Sequence, residues 1–157
     1  MSDCCSVTEP PLEAPERCLE CGRVGRRVEP ITLKALLRPQ DLARLSAPEH
    51  RFCPSASCRV VYFGLNEVFR REHLLVPVFQ KEPAGDRTVC YCFAVSEGDI
   101  RREIQASSGS TAVERITALV QSERCACEVR NPQGTCCLGN VTAVVKAALA
   151  GTLATAV

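Results

Sequence analysis

Aromatic residues are scarce in this sequence: they make up 4% of the 157 residues, tryptophan is absent and methionine occurs once. A core built without them must rest on Leu, Val, Ile and Ala, and small domains with thin cores usually need a disulfide or metal staple. Long apolar runs are also lacking. The best candidate, Val141 to Val157, is shorter than the roughly 20 residues a membrane-spanning helix needs and is interrupted by Lys146. A buried amphipathic helix is the better expectation there, with no membrane span. Neither sign of charge dominates, since 19 basic and 18 acidic residues are mixed along the chain, which removes nucleic acid as the expected partner. There is no Ser/His/Asp arrangement and no phosphate-binding glycine loop, and two histidines are too few for an ordinary catalytic metal site. These absences point away from a substrate-converting enzyme.

Cysteine, by contrast, is abundant, with 12 residues. The N-terminus carries acidic residues and prolines instead of a basic-then-apolar run, so a secretory signal is not expected. A cytoplasmic chain keeps its thiols reduced, and patterned cysteines then read as metal ligands in preference to disulfides. Residues 1–16 show no periodicity and are expected to form a disordered lead. Cys4 and Cys5 lie in it and read as exposed thiols, with capture of soft metal ions as the alternative.

Residues 17–86 form a first expected unit. Leu33, Leu36 and Leu37 predict a short helix from Thr32, ended by Pro39, and a further turn is expected over Asp41–Leu45. Val60–Phe63 and Leu74–Phe79 read as strands, with Pro77 putting the second at an edge. Glu82–Asp86 is a turn or linker. Cys18-x2-Cys21 and Cys53-x4-Cys58 are two knuckle-like pairs, and Gly22 permits the tight turn behind Cys21. Zinc takes four soft donors in a tetrahedron, and four cysteines leave no open position, so a structural zinc on Cys18, Cys21, Cys53 and Cys58 is expected. His50 and His73 are competing donors that such a set does not need.

Residues 87–157 form the second unit, expected to be helical. Val89–Phe93 carries Cys90 and Cys92 into a helix that starts near Ser96 and buries Ile100 and Ile104. Thr111 and Glu114 have capping-box spacing before a second helix, whose buried face would be Val113, Ile116, Leu119 and Val120. A third would bury Val141, Val144, Val145, Ala148 and Leu149. Between them lies a loop with Cys125, Cys127, Cys136 and Cys137. Six thiols on two loops could serve a 2Fe-2S cluster, which needs four thiolates, and helix N-termini and glycine turns would supply N–H groups against sulfide charge. Spacing alone leaves zinc open as the occupant. The whole chain is thus read as α+β: a zinc-knuckle or ribbon unit with short strands and little sheet, followed by a helix-turn-helix metal unit.

Cys90-Tyr-Cys92-Phe, the two helices, and the run Cys125-Ala-Cys127-Glu through Asn131-Pro-Gln-Gly134-Thr-Cys136-Cys137-Leu-Gly139-Asn-Val141 resemble the iron–sulfur part of the CopZ N-terminal domain family. Cys18 and Cys21, Thr32-Leu-Lys-Ala-Leu-Leu and Phe52-Cys53-Pro54 resemble its zinc-binding part, in the same order. The second half is also similar, more distantly, to bacterioferritin-associated ferredoxin. The resemblance implies one Zn2+, one 2Fe-2S cluster and a role in copper homeostasis by electron supply. Members of that family continue into a heavy-metal-associated domain with a Met-x-Cys-x-x-Cys copper site; no such motif stands in these residues, so the resemblance covers the redox and metal-binding half.

Cys90, Cys92, Cys127 and Cys137 are the expected cluster ligands, because Cys127 precedes the loop by a short arm and Cys137 lies nearest the last helix. Cys125 and Cys136 are the alternates, otherwise spare thiols for transient Cu(I) or simple packing. The tip Asn131–Gly134, flanked by Arg124, Glu128 and Arg130, is the expected docking surface. The function expected is a one-electron carrier that reduces Cu(II) to Cu(I), served by a redox partner or copper-handling protein. The alternatives are a non-redox copper- or mercury-binding or sensing protein, and a structural two-zinc adaptor.

Overall fold

The computed structural model describes residues 13–151; Cys4 and Cys5 lie outside that range. Ala14 is already buried and the Glu16 carbonyl accepts the Gly25 N–H at 2.8 Å, so ordered chain begins ahead of the expected boundary at residue 17. The first unit contains four short strands, β1 (Arg26–Val28), β2 (His50–Phe52), β3 (Val60–Phe63) and β4 (Val68–Arg70), in one antiparallel sheet of order β1-β2-β3-β4. This is more sheet than expected. Only β3 announces itself in the sequence, because all four of its residues are buried. The others are three-residue segments rich in Arg and His, with too little alternation to read as strands.

Two helices flank the sheet. α1 (Pro30–Leu36) starts two residues before the expected Thr32, with Pro30 at its first turn, where the missing N–H costs nothing. Pro39 stops α1 by holding Arg38 extended and then opens α2 (Pro39–Leu42). The expected strand over Leu74–Phe79 does not form. Leu74 makes a single bridge to Leu37, the Leu75 N–H reaches the Leu36 carbonyl, and Phe79–Lys81 is a 3-10 turn. The neighbour offered is the end of a helix, and Pro77 has no N–H to extend a ladder.

β3 is buried on both sides because it separates two cores. Val61 and Tyr62 join Val28, Leu33, Leu37, Phe52, Phe69, Leu74 and Val78. Val60 and Phe63 join Cys18, Cys53 and Cys58. A register shift between Val60 and Tyr62 allows this division.

The second unit pairs β5 (Thr88–Cys90) with β6 (Val95–Ser96) and packs α3 (Glu97–Ser107) and α4 (Ala112–Gln121) on α6 (Leu138–Leu149). The capping box is at Ser96 and Asp99, each side chain bonding the other's backbone N–H. At Thr111, where the sequence suggested one, no side-chain cap forms; the Thr111 N–H and hydroxyl both donate to Glu103 instead. Val89, Ile100, Ala112, Ile116, Val141, Val144 and Val145 form the core. Leu119 and Leu149, expected within it, are exposed. Among the described residues no helix is long and apolar enough to cross a membrane.

The short α5 (Cys127–Arg130) packs on α1 and brings the two units together. The tip after it is not an outward surface, contrary to the sequence reading. Asn131, Pro132 and Gln133 are buried. The Tyr62 hydroxyl donates to the Pro132 carbonyl at 2.7 Å, Gln80 donates to Gln133 at 2.5 Å, and Arg26 donates to Thr135. Gly134, at φ +68, fits against Val28 and Thr32.

Gly25 is the tightest point under the sheet. A methyl group there would overlap the edge of the fully buried Phe63 ring and lie 2.8 Å from Arg51 Cβ. Gly25→Ala should therefore destabilise the zinc-loaded protein by about 1–3 kcal/mol, the usual cost of overpacking, read as a lowered denaturation midpoint. An unchanged midpoint would mean that the Phe63 side of the sheet is loosely packed.

Candidate metal centres

Cys18, Cys21, Cys53 and Cys58 meet at one end of the sheet. All four sulfurs lie within 4.8 Å of one another, with Cys18–Cys58 at 3.9 Å and Cys21–Cys53 at 3.5 Å. A tetrahedron with zinc–sulfur bonds of about 2.3 Å has sulfur–sulfur edges of about 3.8 Å, so the donor set fits Zn2+. Local turns aim these sulfurs. Gly22, at φ +71, returns its N–H to the Cys18 carbonyl at 2.9 Å, and the Cys18 N–H reaches the Arg23 carbonyl at 2.8 Å. On the other side the Cys58 N–H returns to Ser55 and the Cys53 N–H pairs with Val61. Cys18, Cys53 and Cys58 are buried and Cys21 is exposed, a closed, structural arrangement.

Neither histidine competes. His50 is buried and its Nε2 lies 2.6 Å from Glu67; burial outweighs that carboxylate and holds its pKa below the ordinary value, so a neutral ring donates to Glu67. His73 accepts the Arg70 N–H through Nδ1. A residue that sequence reasoning missed does touch the site: the buried Lys81 donates to the Ser55 and Cys58 carbonyls at 2.8 and 3.1 Å. It stands 23 residues beyond Cys58, and no local pattern marks it.

The second set is arranged differently. Cys92 and Cys127 sulfurs are 3.6 Å apart. Cys90 and Cys137 are buried in the same core cluster, and the proximity of the two thiols draws Cys90 down to about 6 and pushes Cys137 up. Cys90, Cys127 and Cys137 are buried and Cys92 is half-buried. The Ala126 N–H points at the Cys92 sulfur at 3.3 Å. Cys137 stands at the N-cap position of α6 without a side-chain cap bond, where the first N–H groups lack helical partners. Cys125 is half-buried and Cys136 exposed, and neither enters a sulfur pair. Among the described residues, only the first set draws three or more donor atoms together within 4.8 Å. In the second set the close sulfur contact is Cys92 with Cys127.

Buried amides hold the loop between these pairs. Gln133 donates to the Thr135 and Cys136 carbonyls, its N–H bonds Asn131 Oδ1, and its Oε1 accepts from Asn140 and Gln80. Sequence reading had Gln133 as an exposed tip; its partners lie on three separate segments, which no spacing rule reveals. Cys136 opens onto a half-open cleft of about 630 Å3 between the units, lined by Arg26, Phe52, Gln80, Gln133 and Asn140 among others.

Residues 15–75 match the family of CopZ zinc-binding domains. The chain is 36% identical over 121 residues to the copper chaperone CopZ of Archaeoglobus fulgidus, an alignment covering 77% of this chain and 57% of that protein. The chain thus spans little more than half the length of that relative. It is also similar to the crystal structure of the Archaeoglobus fulgidus CopZ N-terminal domain, with 34% identity and a TM-score of 0.70, covering 82% of this chain and 96% of that one.

Cys21 offers a direct check of the first site. Burial acts to raise its pKa, but the backbone at Arg23 and the thiols of Cys53, Cys18 and Cys58 outweigh it and draw the group down to about 7. An ordinary thiol titrates near ~8.5. In metal-free protein Cys21 should be the first of the four to be alkylated, with a rate that rises with pH and is half-maximal near 7, read by peptide mass spectrometry. Added zinc should abolish the labelling. Alkylation at Cys21 that is indifferent to zinc would remove it from the site.

Proposed function

The chain belongs to the CopZ N-terminal domain family, and on that premise we propose that it is a cytoplasmic redox protein of copper homeostasis. Cys18, Cys21, Cys53 and Cys58 hold a structural zinc. Cys90, Cys92, Cys127 and Cys137 hold a 2Fe-2S cluster, and the second unit is a relative of the helical ferredoxin modules. The observation that carries this reading is the 3.6 Å contact of the Cys92 and Cys127 sulfurs, with Cys90 and Cys137 buried together in the adjoining core at the start of α6.

A bound 2Fe-2S cluster supplies one-electron chemistry. The protein's own residues set the conditions for it. The Ala126 N–H donates to the Cys92 sulfur, and hydrogen bonds to sulfur of this kind tune cluster potentials. Burial of Cys90, Cys127 and Cys137 keeps water from three of the four positions. Cys92 is the accessible edge, with the exposed Arg130 guanidinium donating to its carbonyl. With a cluster held by Cys90, Cys92, Cys127 and Cys137, this edge would be where a redox partner protein docks, and the one-electron chemistry the cluster would supply is that needed to reduce Cu(II) to Cu(I).

The test is anaerobic purification with metal analysis and electron paramagnetic resonance. About one zinc and two irons per chain are expected, with a paramagnetic signal on reduction. Cys92→Ser or Cys127→Ser should remove the visible absorption, while the Cys125→Ser/Cys136→Ser double variant should keep it. A colourless protein with two zinc ions would favour a structural adaptor. A cluster that neither accepts electrons nor reduces Cu(II) would favour a metal-binding or sensing protein.

Tyr62→Phe gives a second check, because it removes the hydroxyl that holds the Pro132 carbonyl. The lost bond should cost about 1 kcal/mol and shorten the lifetime of the cluster absorption in air, with zinc content unchanged. A cluster lifetime equal to that of the wild type would show that this clamp does not support the loop.

A further inference from the structure

The chain has three lysines, and only one is buried: Lys34 and Lys146 are exposed, whereas Lys81 is 4% exposed. Its ammonium donates to the carbonyls of Ser55 and Cys58, and it lies 5.8 Å from the centre of the Phe52 ring. Among the described residues no carboxylate pairs with it; the nearby Glu82 faces Arg71. A buried ammonium supported only by neutral carbonyls and a ring is costly, because nothing repays the loss of its hydration. The segment around it is nevertheless well fixed. Arg71 donates to the Lys81 carbonyl at 2.9 Å, and the Lys81 N–H returns to Val78 at 2.8 Å.

The missing counter-charge is next to it. Four thiolates around one Zn2+ carry two negative charges in excess, and thiolates inside a protein interior need them balanced. Both carbonyls that Lys81 binds belong to the turn from Cys53 to Cys58, and one of them is the carbonyl of the ligand Cys58 itself. We propose that Lys81 is the positioning residue and charge partner of the zinc site: it fixes the Cys53–Cys58 turn through two hydrogen bonds and balances one of the two excess negative charges. Lys81 lies outside residues 15–75, the part that matches the zinc-binding family. The zinc site is therefore completed by the segment that joins the two units. This inference rests on the reading of the four cysteines as a zinc site.

The experiment measures zinc affinity of the full chain by competition with a chromophoric chelator. Lys81→Met keeps the stem and removes the charge, and should weaken zinc binding by about 10–100-fold, as losses around metal ligands usually do. Lys81→Arg keeps the charge and should restore most of the affinity. Equal losses in the two variants would make the role one of packing and overturn the proposal, as would no loss in either. A charge-specific comparison uses Cys21→His, which replaces the exposed thiolate by a neutral ligand and removes one excess negative charge. In that background the effect of Lys81→Met should shrink several-fold; an undiminished effect overturns the proposal. If Lys81→Met alone does not fold, Cys21→His against Cys21→His/Lys81→Met decides it. Wild-type protein that takes up no zinc would sink the zinc reading and this inference together, whereas equally tight zinc in wild type and Lys81→Met sinks this inference alone.

Discussion

Four sulfurs crowded within 4.8 Å of one another are the constraint on which the rest of this structure depends. As free thiols they are a poor core: burial pushes Cys53 and Cys58 up, and deprotonation without a cation would leave like charges in contact. A divalent cation reverses that balance, because it binds the thiolates and releases their protons, so metal-binding energy becomes folding energy. The sheet explains why this matters. β3 has an apolar core on one side and the cysteine cluster with Val60 and Phe63 on the other. With few aromatics to fill that second side, the metal centre takes the place of a core.

The second unit is built on the first. α5 lies against α1, and the buried tip Asn131–Gln133 is held by Tyr62 and Gln80. Cys127 precedes that tip and Cys137 follows it, so the separation of these two thiols is set by a loop whose shape the first unit helps to fix. Arg87 joins the units again. It pairs with the fully buried Glu97 at 2.8 Å and stacks on Phe79 at 4.1 Å. Breaking such a pair from one side is costly because the other charge remains buried. The segment between the units is thus a set of anchors: Phe79 under Arg87, Gln80 on Gln133 and Lys81 on the Cys53–Cys58 turn.

Local features could be read from the sequence. The grouping of Cys18, Cys21, Cys53 and Cys58 is legible because each pair sits on one turn, and β3 and α6 are legible because their apolar pattern is continuous or periodic. Features made by tertiary contact were not. β1, β2 and β4 are three residues each; β2 and β4 are strands because β3 gives them a partner, and β1 because β2 does. Leu74–Phe79 has a strand's composition, yet the backbone that its first residues meet is a helix end. Thr111 has the spacing of a cap but bonds Glu103 on the preceding helix. Asn131-Pro-Gln-Gly looks like an exposed turn and is buried because Tyr62, Gln80 and Asn140 all converge on it. Choosing among the six C-terminal cysteines from sequence needed the distance to a helix start; the Cys92–Cys127 contact comes from the fold.

The central claim is that zinc in the first unit holds the loop of the second. Amide hydrogen exchange over residues 131–136, with and without zinc removed by a chelator, tests it most directly. The account predicts that the Asn131, Gln133 and Gly134 amides, which are buried or hydrogen-bonded here, lose most of their protection when zinc is withdrawn, together with those of β1–β3. Retained protection across 131–136 while β1–β3 exchange freely would contradict it and make the two units independent.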